Sequence, residues 1–183
     1  MIQVKVNGIF ITQSQASGIL LKEQDGDRAL PIVIGEYEAQ SIAMALENIA
    51  PPRPITHDLI VNMLKMQQIS IESIIITELK ENTYFALLRL EKEGAIIEVD
   101  SRPSDAIAIA VRMGASIFVN ESVMEEASYI PDDPESSEQD YVFKSDVNEI
   151  DELKKMLQKA VETEDYEKAA QLRDQIKRLE LGS

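Results

Sequence analysis

The chain has 183 residues, 44% of them hydrophobic, which is enough to form the core of one ordinary domain with a small appendage. Its 33 acidic and 18 basic residues give a formal net charge of −15, which disfavours broad electrostatic binding to nucleic acid. The absence of cysteine excludes disulfides and thiolate chemistry, and with no apolar run of the roughly 20 residues that span a bilayer we expect a soluble, cytoplasmic protein.

The N-terminal residues alternate apolar and polar side chains, a pattern typical of half-buried strands. Strands are predicted at 2–12, 18–23 and 29–34, with a turn at 24–27 before the third. We therefore expect a three-stranded meander that ends at Gly35.

Two helices are predicted to follow the meander. Apolar residues at helical spacing predict the first from Glu36 to Ala50, and the proline-rich residues 51–54 end it. Thr56 is placed to cap the second helix. The predicted buried face of that second helix consists of Leu59, Ile60, Met63 and Leu64.

The same pattern then begins again. Strands are predicted at 69–79, 83–91 and 95–100, and a helix at 103–113. Without gaps, the hexapeptide EAQSIA that begins at Glu38 aligns with DAIAIA, 67 residues further on. We interpret this as an internal duplication of a unit of three strands and one helix, with a carboxylate at the start of each helix.

The remaining residues predict three further regions. A strand at 117–119 and a helical turn at 122–127 complete a domain that covers residues 1–130. Residues 131–147, rich in Pro, Ser, Asp and Glu, are predicted to be an acidic linker, and 148–183 a helical hairpin. The predicted fold class is α+β, with helices packed on a mixed or mostly antiparallel sheet, followed by this α-helical hairpin.

Polar residues concentrate at strand ends and helix starts in three segments. Their sequences are LPIVIGEYEA at 30–39, PRPITHDL at 52–59 and DSRPSDA at 100–106. Together these segments resemble the motifs of the bifunctional nuclease family, and the resemblance covers about residues 1–130. It implies that the chain hydrolyses the phosphodiester bonds of both DNA and RNA.

The C-terminal residues resemble a second family module. The run DYEKAAQLRDQI at 165–176 is similar to the UVR motif, a helical hairpin through which nucleotide-excision-repair subunits contact each other. The resemblance implies a protein partner for the hairpin, and it does not imply that this chain repairs DNA.

Phosphodiester hydrolysis needs a group that activates water and a cradle for the charged phosphate. His57 is the chain's single histidine and a candidate general base or acid. Glu38, Asp100 and Asp105 are candidate catalytic carboxylates, and their oxygens could also hold Mg²⁺ or Mn²⁺. The candidate phosphate-binding residues, with guanidinium groups or places at helix starts, are Arg53, Arg102, Thr56 and Ser104.

Each candidate residue also has a structural interpretation. A carboxylate in the first turn of a helix stabilises that helix, so Glu38 and Asp105 could simply be caps. Arg102 could form an ion pair that fixes its turn, and His57 could bind Asp58 locally. The sequence contains no zinc-type pattern, glycine-rich phosphate loop or nucleophilic triad motif.

Two other functions fit the same residues. A non-catalytic regulatory or adaptor protein could bind a nucleotide or small anion in the pocket and a protein through the hairpin, and the high negative charge favours this alternative. An enzyme acting on a small phosphorylated metabolite could use the same arginines. Sheet edges and apolar faces further predict a homo-oligomer.

Overall fold

The structure, a computed structural model, describes residues 1–12, 15–131 and 173, and the backbone of 141–143. The chain divides into two compact units, 1–142 and 143–183. The predicted hairpin at 148–183, apart from residue 173, lies outside the described residues, as does most of the predicted linker. Among the described helices, none is long and apolar enough to cross a membrane.

The first half of the described chain contains three strands and two helices. Its elements are β1 (Ile2–Thr12), β2 (Ser17–Glu23), β3 (Ala29–Val33), α1 (Glu36–Leu46) and α2 (Thr56–Met66).

The second half repeats three strands and a helix before it diverges. Its elements are β4 (Ser70–Lys80), β5 (Thr83–Lys92), β6 (Ala95–Ser101), α3 (Pro103–Met113), β7 (Ser116–Val119), α4 (Glu121–Ala127) and β8 (Tyr141–Phe143). The short strand β8 falls inside the predicted linker, where the polar composition had predicted no strand.

The strands form one sheet in the order β3-β2-β1-β7-β4-β5-β6, and β8 pairs with β1 beside this order. β7 pairs antiparallel with β1 and parallel with β4. Within each half, the neighbouring strands are antiparallel. The prediction of an α+β fold with a mixed, mostly antiparallel sheet is therefore confirmed.

The two halves agree closely at their helices. α1 begins at Glu36 and α3 at Pro103, and they end at Leu46 and Met113, so the offset of 67 residues holds at both ends. In each half the helix follows an antiparallel three-stranded meander, and β7 lies between the two meanders. This arrangement supports the interpretation of an internal duplication.

The central helix of the domain is α3. Its small apolar residues are fully buried, and the helix packs against α1, α2 and strands β4, β5 and β7. Small side chains allow close approach of these neighbours. Because α1 and α2 both contact α3, the starts of all three helices can meet on one side of the domain. The buried residues of α3 are Pro103, Ser104, Ala106, Ile107, Ala108, Ile109 and Ala110.

The predicted extent of α1 was wrong at its C-terminal end. The helix stops at Leu46 and not at Ala50, because Asn48 takes a left-handed backbone conformation with φ of 56°. Asparagine tolerates this conformation and commonly ends helices in this way. Consequently Ile49, which was predicted to extend the apolar face, is 51% exposed.

The predicted cap of α2 was wrong, and its predicted buried face was wrong in part, since Ile60 and Leu64 are partly buried. The N-cap residue is Ile55, and Thr56 is the first helical residue. Leu59 and Met63 are exposed, whereas His57 and Val61 are buried against the domain. The helix is rotated from the predicted face because polar side chains of its first turn bind partners on α1 and α3, described below.

Candidate active site

The first turns of α1, α2 and α3 line one cleft of about 440 Å³. The N-cap residues of these helices are Gly35, Ile55 and Arg102, and none of their side chains carries a hydrogen-bond acceptor. The first-turn N–H groups therefore cannot be capped in the usual way by the N-cap side chain. The cleft is lined by Tyr37, Glu38, Gln40, Ser41, Met44, Ile55, Thr56, His57, Arg102 and Asp105.

The third residue of each of these helices is a carboxylate, but the three carboxylates act differently. Asp58 in α2 accepts a hydrogen bond from the backbone N–H of Ile55 at 3.1 Å, which is the reciprocal half of a capping box. Glu38 in α1 and Asp105 in α3 bind the guanidinium of Arg102 and make no such backbone hydrogen bond among the described contacts: Asp105 lies three residues from Arg102, and Glu38 reaches it from α1. The capping interpretation therefore holds for Asp58, while the other two carboxylates have a further role.

Arg102 joins the two equivalent carboxylates. Its Nε and Nη2 donate to the two oxygens of Asp105 at 2.7 and 3.0 Å, and its Nη2 lies 2.8 Å from Glu38 Oε1. The Arg102 side chain is 65% exposed, whereas those of Glu38 and Asp105 are 19% and 30% exposed. The guanidinium is thus held by its partners at the mouth of the cleft and is accessible to solvent.

His57 lies between Asp105 of α3 and the buried Ser41 of α1 and contacts both. Its Nε2 lies 3.2 Å from Asp105 Oδ1, and its Nδ1 lies 2.8 Å from the hydroxyl of Ser41. His57 and Ser41 are only 8% and 3% exposed. The predicted contact of His57 with the neighbouring Asp58 is replaced by these two contacts to α1 and α3.

Ser41, His57 and Asp105 are the residue types of a hydrolase triad, but the two ring nitrogens of the histidine have exchanged partners. In the usual triad the aspartate binds Nδ1 and the nucleophilic serine faces Nε2. Here the buried Ser41 faces Nδ1, and Asp105 on Nε2 lies toward the open cleft. The arrangement favours Asp105 over Ser41 as the group that meets a substrate.

Arg112, in the last turn of α3, binds both Asp58 of α2 and Ser41 of α1 beneath the cleft. Its Nε donates to Asp58 Oδ1 at 2.7 Å, and its Nη2 donates to the Ser41 hydroxyl at 3.0 Å and to the Ser41 carbonyl at 3.1 Å. Its Nη1 donates to the carbonyl of Ala108 at 2.9 Å. A single guanidinium therefore ties α1, α2 and α3 together beneath the cleft.

These contacts shift the ionisation of two carboxylates. Burial acts to raise the pKa of Asp105, but the hydrogen bonds from Arg102 and His57 outweigh it, and the net pKa is lowered. The hydrogen bond from Arg112 lowers the pKa of Asp58 against a smaller opposing effect of burial. Asp105, in turn, raises the pKa of Arg102 through its hydrogen bond, with a smaller contribution from Glu38. At neutral pH the cleft therefore holds the ionised carboxylate of Asp105 beside the guanidinium cation of Arg102.

The structure brings together five of the eight predicted site residues. Glu38, Thr56, His57, Arg102 and Asp105 line the cleft, with Thr56 exposed at the start of α2. The other three residues do not line it: Arg53 is exposed in the turn before α2, Ser104 is buried in α3, and Asp100 is exposed on β6.

Asp100 lies on the face of the sheet opposite to the one on which α3 packs. It pairs with Leu87 on β5, whereas the adjacent residues of β5, Ala86 and Leu88, face the buried side on which α3 packs. Neighbouring residues of a strand point to opposite faces, so Asp100 points away from α3. Among the described residues, no three His, Asp or Glu side chains form a metal-binding group, and the predicted set of Glu38, Asp100 and Asp105 is not assembled.

Sequence reasoning missed Ser41 and Arg112. Ser41 is a polar residue three positions after Glu38 within a helix of small apolar residues, and that spacing places both on one side of α1. Arg112 is seven residues after Asp105, again on one side of a helix, but a basic residue in a last turn is usually attributed to the helix dipole. The spacing was a usable signal for both residues.

Comparisons with known proteins agree on the family. A family model described as the bifunctional nuclease domain matches residues 19–132, and a UvrB/uvrC motif model matches residues 148–181. An uncharacterized protein of Mycobacterium tuberculosis is 38% identical over 156 residues, which cover 85% of this chain and 92% of that protein.

Plant proteins show the same similarity over a shorter share of their length. Bifunctional nuclease 1 of Oryza sativa subsp. indica is 33% identical, over 86% of this chain and 53% of the rice protein. Bifunctional nuclease 1 of Arabidopsis thaliana is 32% identical, over 86% of this chain and 54% of that protein. The chain spans about half the length of these plant relatives. With a family model matching more than half of its residues, the chain belongs to the bifunctional nuclease domain family.

Proposed function

We propose that the chain is a nuclease that hydrolyses phosphodiester bonds of DNA and RNA in the cleft formed by α1, α2 and α3. One observation carries the proposal: an exposed guanidinium, Arg102, bridges two carboxylates where three helix starts meet. This site offers positive charge for a phosphate and carboxylates for a water molecule within a few ångströms of each other. The names of the plant relatives point to the same chemistry.

Phosphate binding is the first step of the proposed mechanism. Arg102 can rotate from Glu38 and Asp105 toward an incoming phosphate, since its side chain is 65% exposed. A guanidinium binds two phosphate oxygens at once, and the first-turn N–H groups of the three helices add dipoles of the right sign. A cradle this local is compatible with a net charge of −15, because it does not require a basic surface.

Activation of water is the second step. When Arg102 turns to the phosphate, one oxygen of Asp105 becomes available to accept a proton from water, while His57 continues to orient the carboxylate from the other side. The lowered pKa of Asp105 ensures that it is ionised before substrate arrives. Asp105 is thus the proposed catalytic base, and His57 supports it. The water oxygen forms the new P–O bond as the bond to the leaving sugar oxygen breaks, and the leaving oxygen takes a proton from solvent, while Asp105 returns the proton it accepted to solvent.

In a metal-dependent form of the reaction, Glu38 and Asp105 would instead be the ligands of a divalent cation, and Asp105 would then be a ligand and not the base. Mg²⁺ in phosphoryl-transfer sites is commonly held by one or two carboxylates together with substrate oxygens, and Glu38 and Asp105 already share one cation in Arg102. Mg²⁺ or Mn²⁺ held there would supply positive charge to the transition state. Asp100 is not needed for this two-carboxylate site.

Protein contacts and assembly are part of the proposal. The match of residues 148–181 to the UvrB/uvrC motif supports a protein partner for that segment. The edge strand β6 supports a homo-oligomer, since its residues Ile96, Ile97 and Val99 are 41–49% exposed on an unpaired sheet edge of the described chain.

A regulatory protein that binds a small anion is the second candidate. The observation in its favour is that Glu38 and Asp105 are both paired with Arg102. Carboxylates that stay paired do not activate water, and Arg102 would then hold a nucleotide phosphate without any chemical step. Such a protein would bind nucleotides and leave nucleic acid intact.

The test is cleavage of labelled single- and double-stranded DNA and RNA by the purified full chain, with Mg²⁺, with Mn²⁺ and with chelator. The variants are Asp105→Asn, His57→Gln and Arg102→Gln, and the matched control is Asp25→Asn, which removes the same charge from an exposed turn. We expect cleavage to be lost in Asp105→Asn and Arg102→Gln and retained in Asp25→Asn. Equal cleavage in all variants, or none by the natural chain, would contradict the proposed nuclease.

A further inference from the structure

We propose that Ser41, oriented by Arg112, is a positioning residue that holds His57 as the neutral tautomer protonated at Nε2, so that the imidazole donates to Asp105. The role of this contact in hydrolysis depends on the proposed function of the cleft, whereas the tautomer itself does not. Ser41 and Arg112 lie outside the three sequence segments that predicted the site.

The hydrogen bonds of Ser41 determine the direction of its proton. Arg112 can only donate, so the Ser41 hydroxyl oxygen must accept at 3.0 Å from Arg112 Nη2. The same oxygen lies 2.8 Å from His57 Nδ1. A hydroxyl has two lone pairs, so the contact with Arg112 alone does not fix the direction of the other hydrogen bond. Among the described residues, however, Nδ1 is the acceptor within reach of the buried hydroxyl proton, so Ser41 donates and Nδ1 accepts.

The other ring nitrogen imposes the same tautomer. Asp105 is an ionised carboxylate and can only accept, so a lone pair on His57 Nε2 would face a negative oxygen at 3.2 Å. Protonation at Nε2 removes this repulsion and makes a hydrogen bond. Ser41 and Asp105 therefore select one neutral tautomer from opposite sides of the ring.

Burial of Ser41 and His57 prevents water from replacing the hydrogen bonds that orient the imidazole. Ser41 and His57 are 3% and 8% exposed, so water is a poor substitute for either contact. Arg112 is fixed in turn by Asp58 and by the carbonyls of Ala108 and Ser41. The chain of contacts from Asp58 through Arg112, Ser41 and His57 to Asp105 thus ends at the proposed catalytic base.

The chain's single histidine makes the tautomer directly measurable. In the ¹⁵N-labelled full chain at neutral pH, long-range proton–nitrogen correlation shows which ring nitrogen carries the proton. We expect Nδ1 to give the signal of an unprotonated, hydrogen-bonded nitrogen and Nε2 that of a protonated one. In Ser41→Ala, the Nδ1 signal should move toward that of a nitrogen without a hydrogen bond.

Two further variants separate positioning from general damage to the fold. Ser73→Ala removes another buried serine hydroxyl, on β4, and should leave the imidazole signals unchanged. Arg112→Lys cannot reproduce the contacts to Asp58 and Ser41 together, and should shift the Nδ1 signal in the same direction as Ser41→Ala. Protonation at Nδ1 in the natural chain, or an Nδ1 signal unaffected by Ser41→Ala, would overturn the inference.

The cleavage assay distinguishes this inference from the proposed function. If the natural chain cleaves nucleic acid, Ser41→Ala should lower kcat about 10-fold with little change in KM, as removal of a positioning contact does. If the natural chain cleaves nothing while the imidazole signals behave as expected, the tautomer assignment stands and the nuclease proposal fails. Full cleavage by Ser41→Ala together with an unchanged imidazole spectrum would refute the role of Ser41.

Discussion

Glu38 and Asp105 occupy equivalent positions in the two related halves of the domain, and both carboxylates bind the same guanidinium, that of Arg102. Each is the third residue of its helix, 67 positions apart. If the halves arose by internal duplication, as interpreted from the sequence, one repeated carboxylate position accounts for both partners of Arg102. Arg102 breaks the equivalence, because its counterpart at the N-cap of α1 is Gly35.

Substitution of Arg102 should affect function far more than stability. An exposed ion pair contributes roughly 0–1 kcal/mol to folding, so Arg102→Ala should unfold at nearly the same denaturant concentration as the natural chain. Loss of a charged hydrogen-bond donor to phosphate costs about 1.5–3 kcal/mol of binding, which corresponds to a roughly 10- to 150-fold weaker affinity for an oligonucleotide. Fluorescence anisotropy and denaturant titration measure the two effects. A large loss of stability with unchanged affinity would show that Arg102 serves only to fix its turn.

Two glycine substitutions should separate the cleft from the core. A Cβ at Gly18 would lie 2.2 Å from the ring of Phe10, which is fully buried, so Gly18→Ala should destabilise the fold by about 1–3 kcal/mol. A Cβ at Gly35 would meet only the flexible end of Glu38, at 2.1 Å from Oε2. The backbone of Gly35, with φ of −68°, accepts alanine. Gly35→Ala should therefore fold normally but displace Glu38 from Arg102.

Thermal melting and cleavage or nucleotide binding by both glycine variants provide the check. The expected result is a lower melting temperature for Gly18→Ala alone, and altered activity for Gly35→Ala alone. Equal loss of stability in the two variants would mean that the position of Glu38 is fixed by packing and not only by its ion pair.

The spacing of apolar residues predicted most strands and helices, because burial of those side chains determines where the elements form. Strands β1 to β7 and helix α3 lie within one or two residues of their predicted bounds, whereas β8 was not predicted. The face of α2 was mispredicted for a physical reason: His57 and Asp58 point inward to bind Ser41 and Arg112, and this outweighs burial of Leu59 and Met63. Local hydrophobicity contains no information about such long-range polar partners.

The site could be predicted only in part for a similar reason. Motifs placed Glu38, His57, Arg102 and Asp105 together because each lies at the start of a helix. They also suggested Asp100, which lies on the wrong face of the sheet, since an adjacent position in a strand reverses the direction of the side chain. Spacing along the sequence places Arg112 on the same side of α3 as Asp105, but its partners Asp58 and Ser41 become evident only when α1, α2 and α3 are packed together.

Removal of the Arg112 side chain should be the most destabilising single change in the network. Arg112→Ala leaves the carboxylate of Asp58 without its guanidinium partner and the Ser41 hydroxyl without its donor. Breaking one partner of a fully buried ion pair typically costs about 3–5 kcal/mol, and this pair, with Arg112 and Asp58 side chains 10% and 24% exposed, should lose somewhat less. Urea denaturation followed by circular dichroism measures this loss, with Arg102→Ala as the control for an exposed arginine. Similar small losses in both variants would show that Arg112 does not hold the three helices together.

Stability should fall in acid through Asp58 and Asp105. The folded-state pKa of each lies below the ordinary value of 3.8, so each contributes stability that is fully present above that value. The contribution is lost as the pH falls below 3.8 toward the folded-state pKa. We expect the free energy of unfolding of Asp58→Asn and Asp105→Asn to depend less steeply on pH in this range than that of the natural chain, with Asp25→Asn as the control. Parallel curves for all four proteins would exclude these carboxylates as the cause of acid sensitivity.

The salt dependence of nucleic-acid binding should be weak. A binder that neutralises Z phosphates shows a slope of about −0.9Z when the logarithm of affinity is plotted against the logarithm of salt concentration. The cleft offers one exposed guanidinium, Arg102, within a chain of net charge −15, so contact with one or two phosphates is expected and a slope of about −1 to −2 follows. Anisotropy titrations of a labelled oligonucleotide with the catalytically impaired Asp105→Asn variant, from low to moderate salt, give the slope. Arg102→Gln in that background should reduce its magnitude by about one. A slope several times steeper would mean that the chain binds nucleic acid along an extended surface, and the capture step assigned to Arg102 would then be incorrect.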